Sequence, residues 1–168
     1  VLRPDAFECG LHEPESTDID VHGLHQGYLR GLRARGGAVV TGAEVTAITN
    51  NADRWIVQSR AGEYRAPVLV NAAGAWADII AGLAGVQPVG LTPKRRTAML
   101  FDPPSGLDCA RWPMTSDMDE QWYFKPGAGR LFGSPADETP MAPCDVQPEE
   151  LDLAIAIDRI EAATSLKI

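Results

Sequence analysis

One run of residues limits what this chain can fold into more than any other part of the sequence. It begins with Val68-Leu69-Val70, which is continuously apolar, and passes through Asn71-Ala72-Ala73-Gly74-Ala75 into Trp76. A continuous apolar run of this length is typical of a strand that is buried on both faces in an α/β protein. The small residues predict a tight bend at which backbone can approach a ligand, and the helix start that follows can favour a phosphate. An ordinary strand-to-helix turn with no ligand explains the same residues.

The residues before this run predict a helix and a small antiparallel meander. Val21, Leu24, Tyr28 and Leu32 recur every three or four positions, which predicts an amphipathic helix over about residues 21–35 that ends at Gly36-Gly37. Alternation of apolar and polar residues predicts short strands at 38–41, 44–49, 54–59 and 64–66. A further helix is expected from Trp76 to about Leu83.

The residues after Gly85 have a different pattern, with strands between Pro- and Gly-rich turns. The predicted strands cover residues 91–101, 109–115, 121–125 and 130–133, and a helix is expected over 147–166. Pro148 suits the first turn of that helix because proline lacks the N–H that would have no partner there. The fold class is therefore mixed α/β, with a boundary near residues 86 and 87.

Composition excludes several functional classes. The net charge of −8 argues against a nucleic-acid binder, and no apolar run reaches the roughly 18 residues of a membrane span. Cys9, Cys109 and Cys144 lie far apart, so they support neither a disulfide framework nor a zinc site, and we expect them to be buried and inert. A reducing, cytoplasmic compartment is the expectation. His22 and His25 could share a helix face, but no third ligand is evident, so no metal site is predicted.

Five segments in order resemble the FAD-dependent oxidoreductases of the D-amino-acid oxidase, glycine oxidase and sarcosine oxidase group. The bend run is similar to the VVNAAGAW segment of that family. The similarity extends from residue 8 to residue 135, and its other segments are Gly42–Ile48, Arg54–Tyr64, Pro88–Arg96 and Trp122–Gly133. No single segment is specific, but five in register are.

The resemblance implies a partial FAD-binding domain at residues 1–86 and a partial substrate-binding domain at residues 87–168. Val45 would meet the adenine end of FAD through its backbone, and Ala72, Ala73 and Gly74 would line the dinucleotide with Trp76 packed behind them. An ordinary strand residue at Val45 and a core aromatic at Trp76 are the alternatives.

The sequence departs from the family pattern in ways that bear on activity. It contains neither the strand with GxGxxG that opens the family pattern nor the glycine-rich segment that closes over the flavin. Gly127-Ala128-Gly129 lies in a hairpin turn and does not replace the first of these. Arg96-Thr97 stands where the family often has Gly-Gln. We therefore expect an interior fragment that is inactive by itself and that exposes an apolar patch through which it could form homo-oligomers.

Three side chains are candidates for holding a substrate. Tyr123 and Lys125 are two positions apart on a predicted strand, so both point to the same face and could hold a carboxylate. Arg95, with Arg96 beside it, could grip a carboxylate in a bidentate manner. A solvated sheet face and a solvated charge run are the plainer alternatives for these residues.

The resemblance implies oxidation of the C–N bond of an amine or amino acid, with FAD as the cofactor and a small molecule as the partner. Related flavoproteins share the middle segments, so oxidation of a 2-hydroxy acid or of glycerol phosphate is the second enzymatic hypothesis. A non-catalytic binding module built from the meander and the helices is the hypothesis from another class.

Overall fold

The chain forms two compact units in a computed structural model that describes all residues from Val1 to Ile168. The meander unit comprises His12–Leu91, and the sheet unit comprises Val1–Leu11 together with Thr92–Ile168. The boundary near residue 91 differs from the predicted boundary by a few positions. The larger difference is that the first residues of the chain belong to the sheet unit.

Contacts that sequence patterns cannot show hold the N-terminus in the sheet unit. Leu2 forms an isolated antiparallel bridge with Thr164. The backbone N–H of Arg3 donates to the carbonyl of Ala163 at 3.0 Å, and Arg3 Nε donates to the carbonyl of Thr164 at 2.7 Å. The ring of Phe7 lies 6.2 Å from that of Trp122, measured between centroids. The N-terminal residues are therefore anchored to the C-terminal part of the chain.

The meander unit contains two helices and one three-stranded sheet. Its elements are α1 (Val21–Ala34), β1 (Val45–Asn51), β2 (Arg54–Ser59), β3 (Gly62–Ala66), a 3-10 turn (Gly74–Trp76) and α2 (Ala77–Leu83). The sheet is antiparallel with the order β1-β2-β3. Asp20 caps α1, since its carboxylate accepts from the N–H of Gly23 at 2.8 Å. These bounds agree with the predicted helices and the predicted meander.

Two predicted strands of this unit are wrong. Residues 38–41 are not a strand, and residues 68–70 have no regular secondary structure and no ladder partner. Val68 and Val70 are 72% and 78% exposed, so the run that was expected to be buried on both faces lies at the surface. A continuous apolar run is buried on both faces only in a strand that has neighbouring strands on both edges. No strand of this chain pairs with residues 68–70.

The meander unit buries very little apolar surface. Ile48 is its single buried apolar residue, and neither α1 nor α2 has a buried residue. The whole chain exposes 12218 Å². A compact monomer of its mass, 18.1 kDa, would expose about 8,000 Å², and two separate globules of half that mass would expose about 9,700 Å². The apolar residues of the meander unit therefore remain largely exposed.

The sheet unit contains an antiparallel sheet and one helix. Its elements are β4 (Lys94–Arg95), β5 (Met99–Phe101), β6 (Thr115–Ser116), β7 (Tyr123–Gly127), β8 (Arg130–Ser134), β9 (Thr139–Pro140) and α3 (Glu150–Ala163). The four-stranded sheet has the order β5-β8-β7-β6, and β4 pairs separately with β9. The predicted strand at 91–101 is present only as β4 and β5, and the predicted strand at 109–115 is wrong except for Thr115, which begins β6.

Helix α3 covers one face of the four-stranded sheet. Ile160 of α3 clusters with Phe101, Phe124 and Leu131 from three of the strands. Gly133 permits this close packing, because a Cβ atom at that position would lie 2.9 Å from Phe101 Cε1 and 3.0 Å from Ile160 Cδ1. The core of the chain is therefore the interface between α3 and one sheet face.

Two further observations concern the expectations from composition. Cys109 is buried in this core, but Cys9 and Cys144 are exposed, so the expectation that all three are buried is wrong. None of the three is in a disulfide. No helix of the chain has both the length and the apolar character that crossing a membrane requires.

Truncation of the core tests this packing. Ile160 is fully buried, so we expect Ile160→Ala to lower the free energy of unfolding of the sheet unit by about 2–5 kcal/mol. Leu151 on the same helix is 67% exposed, so Leu151→Ala should change it by less than about 0.5 kcal/mol. Urea denaturation followed by far-UV circular dichroism measures both. Equal effects of the two substitutions would contradict the described packing.

Candidate functional site

The face of the four-stranded sheet that α3 does not cover carries the predicted substrate residues. Tyr123 and Lys125 are half-buried, whereas Phe124 between them points into the core and is 2% exposed. The register pairs Lys125 with Phe132, and Phe132 with Leu100. Directly paired residues of antiparallel strands point to the same side. We call the surface formed by Leu100, Tyr123, Lys125 and Phe132 the open face.

Phe132 is a member of the open face that sequence reasoning missed. Its ring is stacked on that of Tyr123, with centroids 6.1 Å apart and an interplanar angle of 26°. The register follows from the hairpin turn, because Ala128 and Gly129 both have positive φ values, 52° and 80°. That combination is typical of a two-residue type I′ loop. Assigning this turn type to Ala128-Gly129 would have placed Phe132 opposite Lys125 from the sequence.

The bend after the unpaired run is held by one side chain. Asn71 Oδ1 accepts from the N–H of Ala73 at 3.3 Å, and Asn71 Nδ2 donates to the carbonyl of Ala77 at 2.8 Å. Gly74 adopts a φ of +55°, and no atom lies within 4 Å of where its Cβ would stand. Ala72 and Gly74 are exposed, and Ala73 is half-buried. The bend therefore presents small residues and backbone at the surface, and their contact with a ligand stays a prediction.

The other predicted cofactor residues lie on elements beside this bend. Val45 is half-buried and begins β1, and β1 packs against α2, the helix that follows the bend. Trp76 closes the 3-10 turn and is 41% exposed, so it is not a core aromatic of this unit. The structure thus brings the strand of Val45 and the bend together in one unit.

Asp78 is a further organising residue that sequence reasoning missed. Its carboxylate accepts from three consecutive backbone N–H groups, those of Val89, Gly90 and Leu91, at 3.1, 2.9 and 2.8 Å. Gly90 has a φ of +84°, which glycine adopts without strain. Asp78 therefore fixes the end of the meander unit to the first turn of α2.

Arg95 is placed differently from the other candidates. Its side chain is 9% exposed, and Nη2 lies 2.7 Å from Asp152 Oδ2. Its Nε lies 3.6 Å from Asp137 Oδ2, and its Nη1 is hydrogen-bonded to Glu149. The hydrogen bond that Arg95 donates to the Glu149 carboxylate raises the pKa of Arg95 above its usual value. The substrate role of Arg95 remains a prediction, because three carboxylates already surround the guanidinium and this placement favours a structural role.

The neighbours of Arg95 extend this cluster. Thr97 is buried, and its hydroxyl lies 3.0 Å from Asp137 Oδ2 and 3.3 Å from Asp152 Oδ2. These contacts join β4 and the chain after it to the start of α3. The sequence pattern of three adjacent cations gave no sign that the middle one would be buried.

Lys94 and Arg96 share a single carboxylate at the surface. Both side chains pair with Glu138, and the Arg96 Nη2 to Glu138 Oε1 distance is 3.0 Å. The hydrogen bond from Lys94, followed by its charge and that of Arg96, lowers the pKa of Glu138 below its usual value.

Comparison with known protein families identifies the family to which this chain belongs. The sequence pattern of the DAO family, described as FAD-dependent oxidoreductase, matches residues 2–163. This chain is a member of the FAD-dependent oxidoreductase family. The mixed α/β architecture agrees with that membership, and the resemblance inferred from five segments is confirmed.

Individual relatives of this FAD-dependent oxidoreductase chain are more distant. It is 27% identical over 136 residues to the mitochondrial dimethylglycine dehydrogenase of Rattus norvegicus, covering 79% of this chain. It is 28% identical over 137 residues to the mitochondrial dimethylglycine dehydrogenase of Homo sapiens, again covering 79% of this chain. The matched region spans 16% of the length of each of these relatives.

The pKa of Glu138 gives a testable pH dependence. A carboxyl whose pKa is lowered by folding stabilises the fold above its unfolded pKa, about 4.3, and this contribution is lost as pH falls through the lower folded value. We expect Glu138→Gln to lower the Tm at pH 7, and we expect this Tm difference to become smaller as the pH falls below about 4.3. The Tm difference should also shrink at 1 M salt, because the pairs are exposed. A Tm difference independent of pH between 7 and 3 would contradict the ion pairs described.

Proposed function

We propose that this chain works within a longer flavoprotein that oxidises the C–N bond of an amine or amino acid. The observation that carries the proposal is the register of β7 and β8, which gives Tyr123 and Lys125 one common face that α3 leaves uncovered. The family membership supports FAD-dependent oxidation. The printed names of the relatives, dimethylglycine dehydrogenases, support an amine as the oxidised group.

We propose that the bend and the start of β1 hold FAD. The fit of FAD to these residues rests on Gly74, because the space that a Cβ atom would occupy there is empty and the backbone is accessible. Ala72, Ala73 and Gly74 would line the dinucleotide, with Trp76 packed behind them. Val45 would contact the adenine end through its backbone. When bound, FAD supplies the oxidising power for the reaction.

The open face would orient the substrate. The Lys125 ammonium provides a positive charge for a substrate carboxylate, and the Tyr123 hydroxyl can donate a hydrogen bond to the same group. Both side chains are half-buried, and partial burial strengthens such contacts relative to those in bulk water. The chain's own residues thus bind and orient the substrate.

We propose that the 168 residues alone neither retain FAD nor turn over substrate. The support is the meander unit, in which Ile48 is the single buried apolar residue. The same exposed apolar surface favours self-association of the isolated chain. A cytoplasmic location remains a prediction that rests on the free cysteines, and the relatives' printed names place those proteins in mitochondria.

The substrate class is tested in the complete flavoprotein. We expect N,N-dimethylglycine or another amino acid to bleach the visible flavin absorbance under anaerobic conditions. A 2-hydroxy acid and glycerol phosphate, offered separately, should leave it unchanged. Bleaching by either of these and by no amine would refute amine oxidation in favour of the second hypothesis.

The substrate residues are tested by Tyr123→Phe and Lys125→Met. Each removes a hydrogen bond to a charged group, so we expect each to lower kcat/KM for the amino acid by about 10- to 100-fold. Lys167→Met is the matched control, because Lys167 is 76% exposed and lies in the C-terminal segment. Steady-state kinetics measures all three. Losses of kcat/KM no larger than that of the control variant would contradict the assignment of the open face to the substrate site.

The cofactor residues are tested by Gly74→Ala. We expect this flavoprotein variant to be purified with less FAD per chain, because the added methyl group would fill the space beside the bend. Gly85→Ala is the matched control, since Gly85 has a similar φ of +65° and also has no atom within 4 Å of a Cβ. It introduces the same backbone strain elsewhere. The ratio of flavin to protein absorbance measures both, and equal FAD content in the two variants would contradict the assignment.

A further inference from the structure

We propose that Asn71 is a positioning residue on which the affinity of this protein for FAD depends. This inference rests on the proposed function, because it concerns the bend that would line the dinucleotide. Asn71 itself would not touch the cofactor. It acts through the backbone of Ala73 and Gly74, whose conformation its side-chain amide fixes before FAD binds.

One amide group joins the two sides of the bend. Asn71 Oδ1 accepts from the N–H of Ala73 at 3.3 Å, which is the local turn that asparagine favours. Asn71 Nδ2 donates to the carbonyl of Ala77 at 2.8 Å, on the far side of the bend. Gly74, with its φ of +55°, lies midway between Asn71 and Ala77. We call these two hydrogen bonds the Asn71 clamp.

Core packing does not fix the bend in place of the Asn71 clamp. Every residue from Ala72 to Trp76 is exposed except Ala73, which is half-buried, and α2 has no buried residue. Neither the 3-10 turn nor α2 has a side-chain hydrogen bond at its N-cap. An unpacked segment that contains glycine has many accessible backbone conformations, and ordering it on binding costs free energy. Ordering the bend before binding therefore raises the affinity for a ligand.

The Asn71 clamp also determines which backbone donors face solvent. It uses the N–H of Ala73, and the carbonyls of Ala73 and Gly74 accept hydrogen bonds within the turn that follows. The N–H groups of Gly74 and Ala75 have no acceptor within the chain. Both residues are exposed, so these two N–H groups are available to a ligand. Without the clamp, the bend could rearrange and lose this arrangement of donors.

The Asn71 clamp requires a side chain that accepts and donates at the same time, as an amide does. In Asn71→Ser the hydroxyl can still accept from the N–H of Ala73, although more weakly, and it is too short to reach the carbonyl of Ala77. Asn71→Leu keeps a similar shape and makes neither bond. The two variants therefore remove one and two hydrogen bonds without adding a charge beside the dinucleotide.

The experiment measures FAD binding to the complete flavoprotein after its flavin has been removed. Quenching of FAD fluorescence gives the Kd. We expect the Kd to rise about 3- to 10-fold in Asn71→Ser and about 10- to 100-fold in Asn71→Leu, since each lost hydrogen bond weakens the ordered bend. Asn51→Leu is the matched control and should leave the Kd unchanged, because Asn51 is an exposed asparagine at the end of β1 whose side chain makes no hydrogen bond.

A second measurement separates positioning from a general effect on folding. Because Asn71 is exposed, the Tm of the flavin-free variants should stay within about 3 °C of that of the parent protein. The rate at which the folded holoprotein releases FAD should rise with the Kd. A lower Tm with an unchanged release rate would show that Asn71 only stabilises the fold, and would overturn the proposal.

The Gly74→Ala variant distinguishes this inference from the proposed function. If Gly74→Ala loses FAD while both Asn71 variants bind it as tightly as the parent protein, the role of Asn71 is overturned and the FAD site at the bend stands. If none of the three substitutions changes FAD binding, the bend does not hold the cofactor and both proposals are overturned. Asn71→Ser serves alone if the leucine variant does not fold.

Discussion

The packing of α3 against one face of the β5-β8-β7-β6 sheet is the interaction on which the rest of the structure depends. It is made possible by Gly133, where any side chain would collide with Phe101 and Ile160. Strand alternation then assigns every neighbouring residue to one side or the other. Because Phe124 is in the core, Tyr123 and Lys125 must lie on the opposite face. The candidate substrate surface is therefore a consequence of how the core is built.

The meander unit is held mainly by local hydrogen bonds, and not by a buried apolar core. Its strands and helices are defined by local hydrogen bonds, such as the cap at Asp20 and the bond pair at Asn71, while Ile48 alone is buried among its apolar residues. Hydrophobic burial is the dominant favourable contribution to folding, so these local bonds form only part of what a stable unit needs. The apolar side chains of Val68 and Val70 remain exposed at the surface of this unit.

Local patterns predicted the local elements, and long-range contacts decided what could not be predicted. Helix α1 and the β1-β2-β3 meander follow from periodicity and turn residues, and the shared face of Tyr123 and Lys125 follows from strand alternation. The burial of Arg95 could not be predicted, because its partners Asp137, Glu149 and Asp152 are distant in sequence. The predicted burial of residues 68–70 was wrong. An apolar pattern indicates that a segment can be buried, but burial in a sheet also requires neighbouring strands, and the pattern does not show whether they are present.

The central claim, that Lys125 on the open face meets the substrate carboxylate, can be measured directly by lysine footprinting. The chain has three lysines, Lys94, Lys125 and Lys167, so two serve as internal references. The complete flavoprotein would be acylated with an amine-reactive reagent, with and without N,N,N-trimethylglycine, and its peptides quantified by mass spectrometry. The account predicts slower acylation of Lys125 when the ligand is present and unchanged acylation of Lys94 and Lys167. Ligand binding that leaves Lys125 as reactive as before would contradict it.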